Sequence, residues 1–408
     1  MTGIKIYDPN ILLIIGNGFD LACGLKSRYI DFYNAEIKGK YDIESWDSKP
    51  LNFWRYLLSI HEKGAEDNNW RDIEKIIKEV LEQIMKESNK RYVSISKSAW
   101  LHLHKRRRFT PIYKAGKGIE NHMFNFCVSC LLGQGVGLSK KGKIISDKSY
   151  LCEFLFCGLN TLERQFCAYL KNQVTVRYME LADIFLAELF YKDIYKVSLE
   201  KLKTNGLSKI HDDYFTSKSQ YGVISFNYTN NPLHSAKRYK KYIKYTNVHG
   251  SMCNKECSHC KNSSAIFGID DTVIANNTTS DMRMFSKTYR TLQLAKDYNS
   301  QQVLPTKEKL LIIRFFGHSL SEADYSYFQS IFDHYDIYSN TNVVLEFLYT
   351  NYKDKNNIYC HKGELHTEHA DAVYKLINQY GISMASDKGK NLMHKLILEK
   401  RIKVLDIT

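Results

Sequence analysis

ILLIIGNGFDLACGLKSRYIDFY, residues Ile11 to Tyr33, runs five apolar residues into GNGFD and then into apolar positions at helical spacing. Leu21, Leu25, Tyr29, Phe32 and Tyr33 carry that spacing, so the stretch reads as a buried strand followed by one helix. The junction admits two readings. In one, Gly16, Asn17 and Gly18 form a tight turn whose backbone a ligand approaches, with the next helix turning its N-terminal amides toward a phosphate. In the other it is a plain strand-to-helix turn with Asp20 as the cap.

Working outward, the 408 residues suit about two or three domains. An apolar share of 44% is enough to bury a substantial core. No basic start leads into a long apolar run, and the apolar stretches are strand-sized, so the expectation is a soluble, cytoplasmic protein with no membrane partner. Without a secretion signal, ten cysteines read as thiols or metal ligands rather than a disulfide framework. The formal charge of +14 gathers in KRRR (Lys105 to Arg108) and KRYKKYIK (Lys237 to Lys244), which leaves nucleic acid open as a partner. Five prolines and 29 tyrosines suggest an AT-rich coding source, which itself inflates lysine and weakens that argument.

Helical spacing recurs with Ile73, Ile76, Ile77, Val80, Leu81 and Ile84 on one face, and again through LNTLERQFCAYL and YMELADIFLAELFYK. Residues 91–150 are glycine-punctuated and read as loops or a small insertion. The chain then turns β-rich in YGVISFN, YIKYTNVHG, SSAIFGID, LLIIRFFGHSL and NVVLEFLY. Apolar runs alternating with helices predict an α/β fold with a parallel sheet that the first strand joins. The expected division is a discontinuous sheet domain over 1–34 and 218–350, a mainly helical insertion over 35–217, and a C-terminal extension over 351–408.

In such a sheet, ligands bind at the carboxyl ends of the strands. There the sequence puts GNGFD (Gly16, Asn17, Gly18, Phe19, Asp20), then Asn227, Tyr228 and Thr229, then His249 and Gly250, then Gly317, His318, Ser319 and Asp324. Four polar strand endings in one sheet predict a shared ligand crevice.

In order along the chain, IIGNGFDLACGL, WRDIE, SFNYTN, VHG, FGID and FFGHSLSEAD resemble the bacteriophage abortive-infection AbiH family. The resemblance spans Ile11 to Asp333, leaves out 91–150 and the residues after Tyr352, and implies a bacterial role in protection against phage. The same pieces are similar, more distantly, to sirtuin-like domains, including those that destroy NAD in phage defence. That similarity implies a Rossmann-like sheet, NAD as ligand or substrate, and catalytic roles at the nicotinamide ribose for Asn227 and His249. The chain departs from it at Asn17, where sirtuins usually have Ala, and at Thr229, where an acidic residue is usual.

Cleaving the bond from ribose to nicotinamide needs a held dinucleotide, an aligned water and a base near neutral pH. His249 suits the base, Asn227 the orientation of a hydroxyl, and the amides near Gly16 and Gly18 the pyrophosphate. A strand-end histidine satisfied by backbone is the plainer reading of His249. HGSMCNKECSHC clusters Cys253, Cys257 and Cys260 around His259, close enough for structural zinc or for free thiols. Cys127, Cys130 and Cys360 are candidate distant ligands.

Three functions follow: an NAD-hydrolysing antiphage effector, a nucleotide sensor without turnover, and a nucleic-acid-targeting effector. The third ranks last, because no paired carboxylates for a nuclease metal stand out. Expected partners are a small-molecule nucleotide, a phage-derived trigger and a second copy of the chain.

Overall fold

A computed structural model of the chain describes residues 9–38, 54–55, 58, 73–88, 148–191, 218–230, 242–252, 265–270, 280–294, 302–321, 324–350, 362–384 and 387–408. Its elements are β1 (Asn10–Ile15), α1 (Asn17–Ala22), α2 (Tyr29–Glu36), α3 (Ile73–Ser88), α4 (Lys148–Gln173), α5 (Val176–Glu188), β2 (Tyr221–Ser225), β3 (Ile243–Asn247), α6 (Lys287–Leu294), β4 (Leu311–Phe316), α7 (Tyr325–Tyr335), β5 (Val343–Tyr349), α8 (Lys362–Ser383), α9 (Leu392–Leu398) and β6 (Ile402–Asp406). Chain packing divides them into two compact units. One comprises residues 1–27, 170–254 and 296–408, the other 28–169 and 255–295.

The first unit holds a six-stranded, all-parallel sheet in the order β3-β2-β1-β4-β5-β6. The order reverses direction between β1 and β4, so crossovers leave the centre on both sides. Alternation of side chains along β1 explains the two cores. Ile11, Leu13 and Ile15 pack with Tyr178, Phe185 and Leu186 of α5 on one face. Leu12 and Ile14 pack with Phe328, Phe332 and Ile377 of α7 and α8 on the other. With both faces covered, β1 and β4 are buried along their whole length, which is why they read as mainly apolar runs.

One charge interrupts that pattern. Arg314 of β4 stands in register with Glu346 of β5 and bonds it at 2.7 Å. A second nitrogen of Arg314 donates to the Leu189 and Tyr191 carbonyls, tying the end of α5 to the sheet.

The second unit, taken alone, is helical in its described parts. Phe32, Ile77, Val80, Leu155, Leu159, Leu162 and Phe166 are buried, and the Trp54 indole donates to the Leu155 carbonyl at 2.8 Å.

Three local expectations are corrected. The single helix after GNGFD is two: Gly24, at φ +85°, adopts the left-handed conformation that ends α1, and the helix restarts only at Tyr29. SSAIFGID forms no strand among its described residues, only an isolated bridge from Ile269 to Ser286. Side chains satisfy the Phe267 backbone, its amide donating to Glu163 and its carbonyl accepting from Arg290, while Ile269 bonds the Phe285 and Lys287 backbone. Finally, residues within the expected C-terminal extension supply β6, an edge strand of the sheet.

Candidate functional site

Strand ends β1 and β4 meet backbone to backbone. The Gly16 amide donates to the Phe316 carbonyl at 3.1 Å and the Gly18 amide to the Gly317 carbonyl at 2.7 Å. A Cβ on Gly16 would lie 2.6 Å from His318 Cα, and one on Gly18 would lie 2.5 Å from Gly317 Cα. Gly317 itself sits at φ +67°. The glycines are therefore required by the approach of two loops, and the two amides expected to face a phosphate are engaged within the protein.

Asp20 lies behind this clasp, 2% exposed. Its Oδ1 accepts from the Tyr178 hydroxyl at 2.7 Å and its Oδ2 from Thr229 at 3.0 Å. Burial pushes its carboxyl up to about 7, against the lowering influence of Tyr178, Thr229 and the nearby Asn227 amide. Asp20 does not cap α1: the residue preceding the helix is Gly16, with no side-chain cap. Burial, followed by the charge of Asp20, drives the Tyr178 hydroxyl well above its ordinary range.

Asn227 is 3% exposed, and among the described residues neither polar atom of its amide finds a partner at hydrogen-bonding geometry. Its backbone is fixed firmly. Asn247 Nδ2 donates to the Asn227 carbonyl at 2.7 Å and the Thr229 carbonyl at 3.0 Å, bracing the loop after β2 from the end of β3.

Beyond β3, the His249 ring contacts Asp324 through Nε2 at 2.8 Å. The other carboxylate oxygen of Asp324 lies 3.4 Å from His318 Nε2. Asp324 precedes α7 without capping it, its carboxylate turned instead to the two imidazoles. The Leu320 amide donates to His318 Nδ1, leaving Nε2 of a neutral ring to carry the proton that faces Asp324. By the same logic a neutral His249 donating through Nε2 carries its basic lone pair on Nδ1. The Phe226 ring stands edge-on to both, with centroids 5.3 Å from His249 and 4.5 Å from His318. Tyr327 adds an edge contact to His249 at 5.4 Å.

The sheet thus gathers Asp20, Asn227, Thr229, His249, Gly317, His318 and Asp324 at its carboxyl edge. Other candidates serve differently. Phe19 stacks on Phe185 in the core, at 5.5 Å, and Asn17 is exposed and accepts from Ser27. Tyr228 is half-buried, with its carbonyl bonded to the Met252 amide, and Ser319 is exposed. Cys253, Cys257 and Cys260 lie outside the described residues. Among the described residues no group of three or more His, Cys, Asp or Glu side chains could hold a metal ion.

Sequence reading missed Tyr178, Asn247, Phe226 and Tyr327. Only Asn247 carried a signal, as a polar residue at the end of a strand. A cavity of about 250 Å³ lined by Tyr221, Tyr242, Lys244 and Pro305 opens at the amino ends of β2 and β3, away from these residues.

A parallel sheet thus carries, at its carboxyl edge, a buried carboxylate, an amide without a partner among the described residues, and a histidine–aspartate pair. Residues 12–123 match the family model described as bacteriophage abortive infection AbiH. The match takes in GNGFD and WRDIE, and reaches into the 91–150 stretch that the motif resemblance left out. No curated protein and no solved structure matches the chain. Among the described residues no helix is long and apolar enough to cross a membrane.

Proposed function

We propose that this protein is an antiphage abortive-infection effector whose carboxyl-edge site binds NAD and hydrolyses its nicotinamide–ribose bond. The family match supports the defence role. The strand order 3-2-1-4-5-6 is that of Rossmann-like dinucleotide-binding sheets, which take ligands where the order reverses. The observation that carries the chemistry is the buried Asn227 amide, unpartnered among the described residues, on the same sheet edge as a histidine held by a carboxylate.

The reaction suits that equipment. The bond from C1′ to the ring nitrogen breaks, its electron pair neutralises the cationic nicotinamide, and water oxygen bonds C1′. Because the leaving group departs neutral, no acid is needed and one base suffices. His249 takes the water's proton on Nδ1, while Asp324 holds the ring and stabilises the imidazolium. Asn227 orients a ribose hydroxyl or the water.

Purified protein supplied with NAD tests this: nicotinamide release that disappears in His249→Ala supports it. Tight nucleotide binding with no product, unaffected by His249→Ala, would favour a sensor. Salt-resistant binding to a defined nucleic acid would favour the third function.

A further inference from the structure

We infer that this edge grips the ribosyl part of its ligand through Asp20 and Asn227, and that the Gly16 and Gly18 amides of the GNGFD turn do not hold a phosphate. The inference rests on the reading that a nucleotide binds here, and it changes which half of that nucleotide supplies the affinity.

Three observations converge. The amides of Gly16 and Gly18 donate to the Phe316 and Gly317 carbonyls, so neither donor is available to a phosphate. The α1 helix behind them has only six residues, which leaves little aligned dipole to attract an anion. Asp20, with its position fixed by Tyr178 and Thr229, ends the turn with a carboxyl group that offers an acceptor to a hydroxyl and, in its ionised form, repels a phosphate.

The neighbouring Asn227 supplies the complement. Its amide offers two donor hydrogens and an acceptor oxygen, is 3% exposed, and lies close to Asp20 without reaching hydrogen-bonding geometry with any described residue. A buried amide in that condition is costly unless something completes it. A carboxylate beside an amide matches a vicinal diol, where one hydroxyl donates to Asp20 while the other exchanges hydrogen bonds with Asn227.

The test is calorimetric binding of two ligand series, NAD with nicotinamide mononucleotide and nicotinamide riboside, and ADP with AMP and adenosine, to His249→Ala protein, in which turnover is blocked. Removing the phosphates should weaken binding by less than about tenfold in whichever series binds. The Asp20→Asn change, made in the same background, should weaken the nucleosides by more than about tenfold, and 2′-deoxyadenosine should bind worse than adenosine.

If adenosine binds in this Asp20-dependent way and no nicotinamide ligand does, the inference stands and the NAD reading falls. If NAD binds and nicotinamide riboside is about tenfold or more weaker, the pyrophosphate is the anchor and the inference falls while the NAD reading stands. Absence of binding by every nucleoside overturns it as well. Should Asp20→Asn fail to fold, the phosphate series and the deoxy comparison decide alone.

Discussion

Gly18 and Gly317 touch through their backbones: the amide of one donates to the carbonyl of the other at 2.7 Å, and a Cβ on Gly18 would lie 2.5 Å from Gly317 Cα. This contact locks the β1–α1 turn to the end of β4. Gly317→Ala should therefore destabilise the fold by roughly 2–4 kcal/mol, combining overpacking with a left-handed backbone at φ +67°. Urea denaturation measures it. A loss below about 0.5 kcal/mol would mean that the loops are not clasped.

Asn227→Ala should behave in the opposite way. Removing a buried amide without partners among the described residues relieves a desolvation cost of about 1–3 kcal/mol, offset by a small cavity. The melting temperature should hold or rise while phage protection is lost. Marked unfolding, or protection retained in a stable protein, would remove Asn227 from the site.

Asp20 predicts a pH dependence with a definite sign. Its carboxyl lies near 7 in the fold against 3.8 as the ordinary value, so between those values the folded state binds more protons than the unfolded one. Its contribution to stability is greatest below the lower value and declines as pH rises toward 7. Asp183, raised by burial to about 6, acts in the same direction, so the difference between native protein and Asp20→Asn isolates Asp20. Thermal melts from pH 5 to 8 should show a shallower decline in Asp20→Asn. Parallel curves would contradict the assignment.

How much of this could be read from the chain depends on how local each signal is. β1, β2, β4 and β5 announce themselves because central parallel strands are apolar on both faces. Asn227, His249 and Asp324 are legible because polar residues end or closely follow those runs. Tyr178 is not, since it reaches Asp20 across 158 positions from a helix that reads as ordinary core packing. β6 escapes for a related reason: RIKVLDIT lies at a half-exposed sheet edge and lacks a continuous apolar run. FGID misleads because the Glu163 side chain, 104 positions away, and that of Arg290 take the Phe267 hydrogen bonds that a strand neighbour would have made.

The run CNKECSHC lies outside the described residues, and its spacing alone carries the expectation of about one zinc per chain through Cys253, Cys257 and Cys260. Metal analysis of anaerobically purified protein checks it, with chelation expected to lower the melting temperature. Metal-free protein of unchanged stability would leave the three cysteines as thiols.

The most direct measurement is cellular NAD, followed by mass spectrometry during phage challenge in cells carrying the native protein or His249→Ala. NAD hydrolysis through His249 predicts that NAD collapses with the native protein as protection sets in, and that His249→Ala, expressed to the same level, preserves NAD and loses protection. Full protection with NAD unchanged would contradict it.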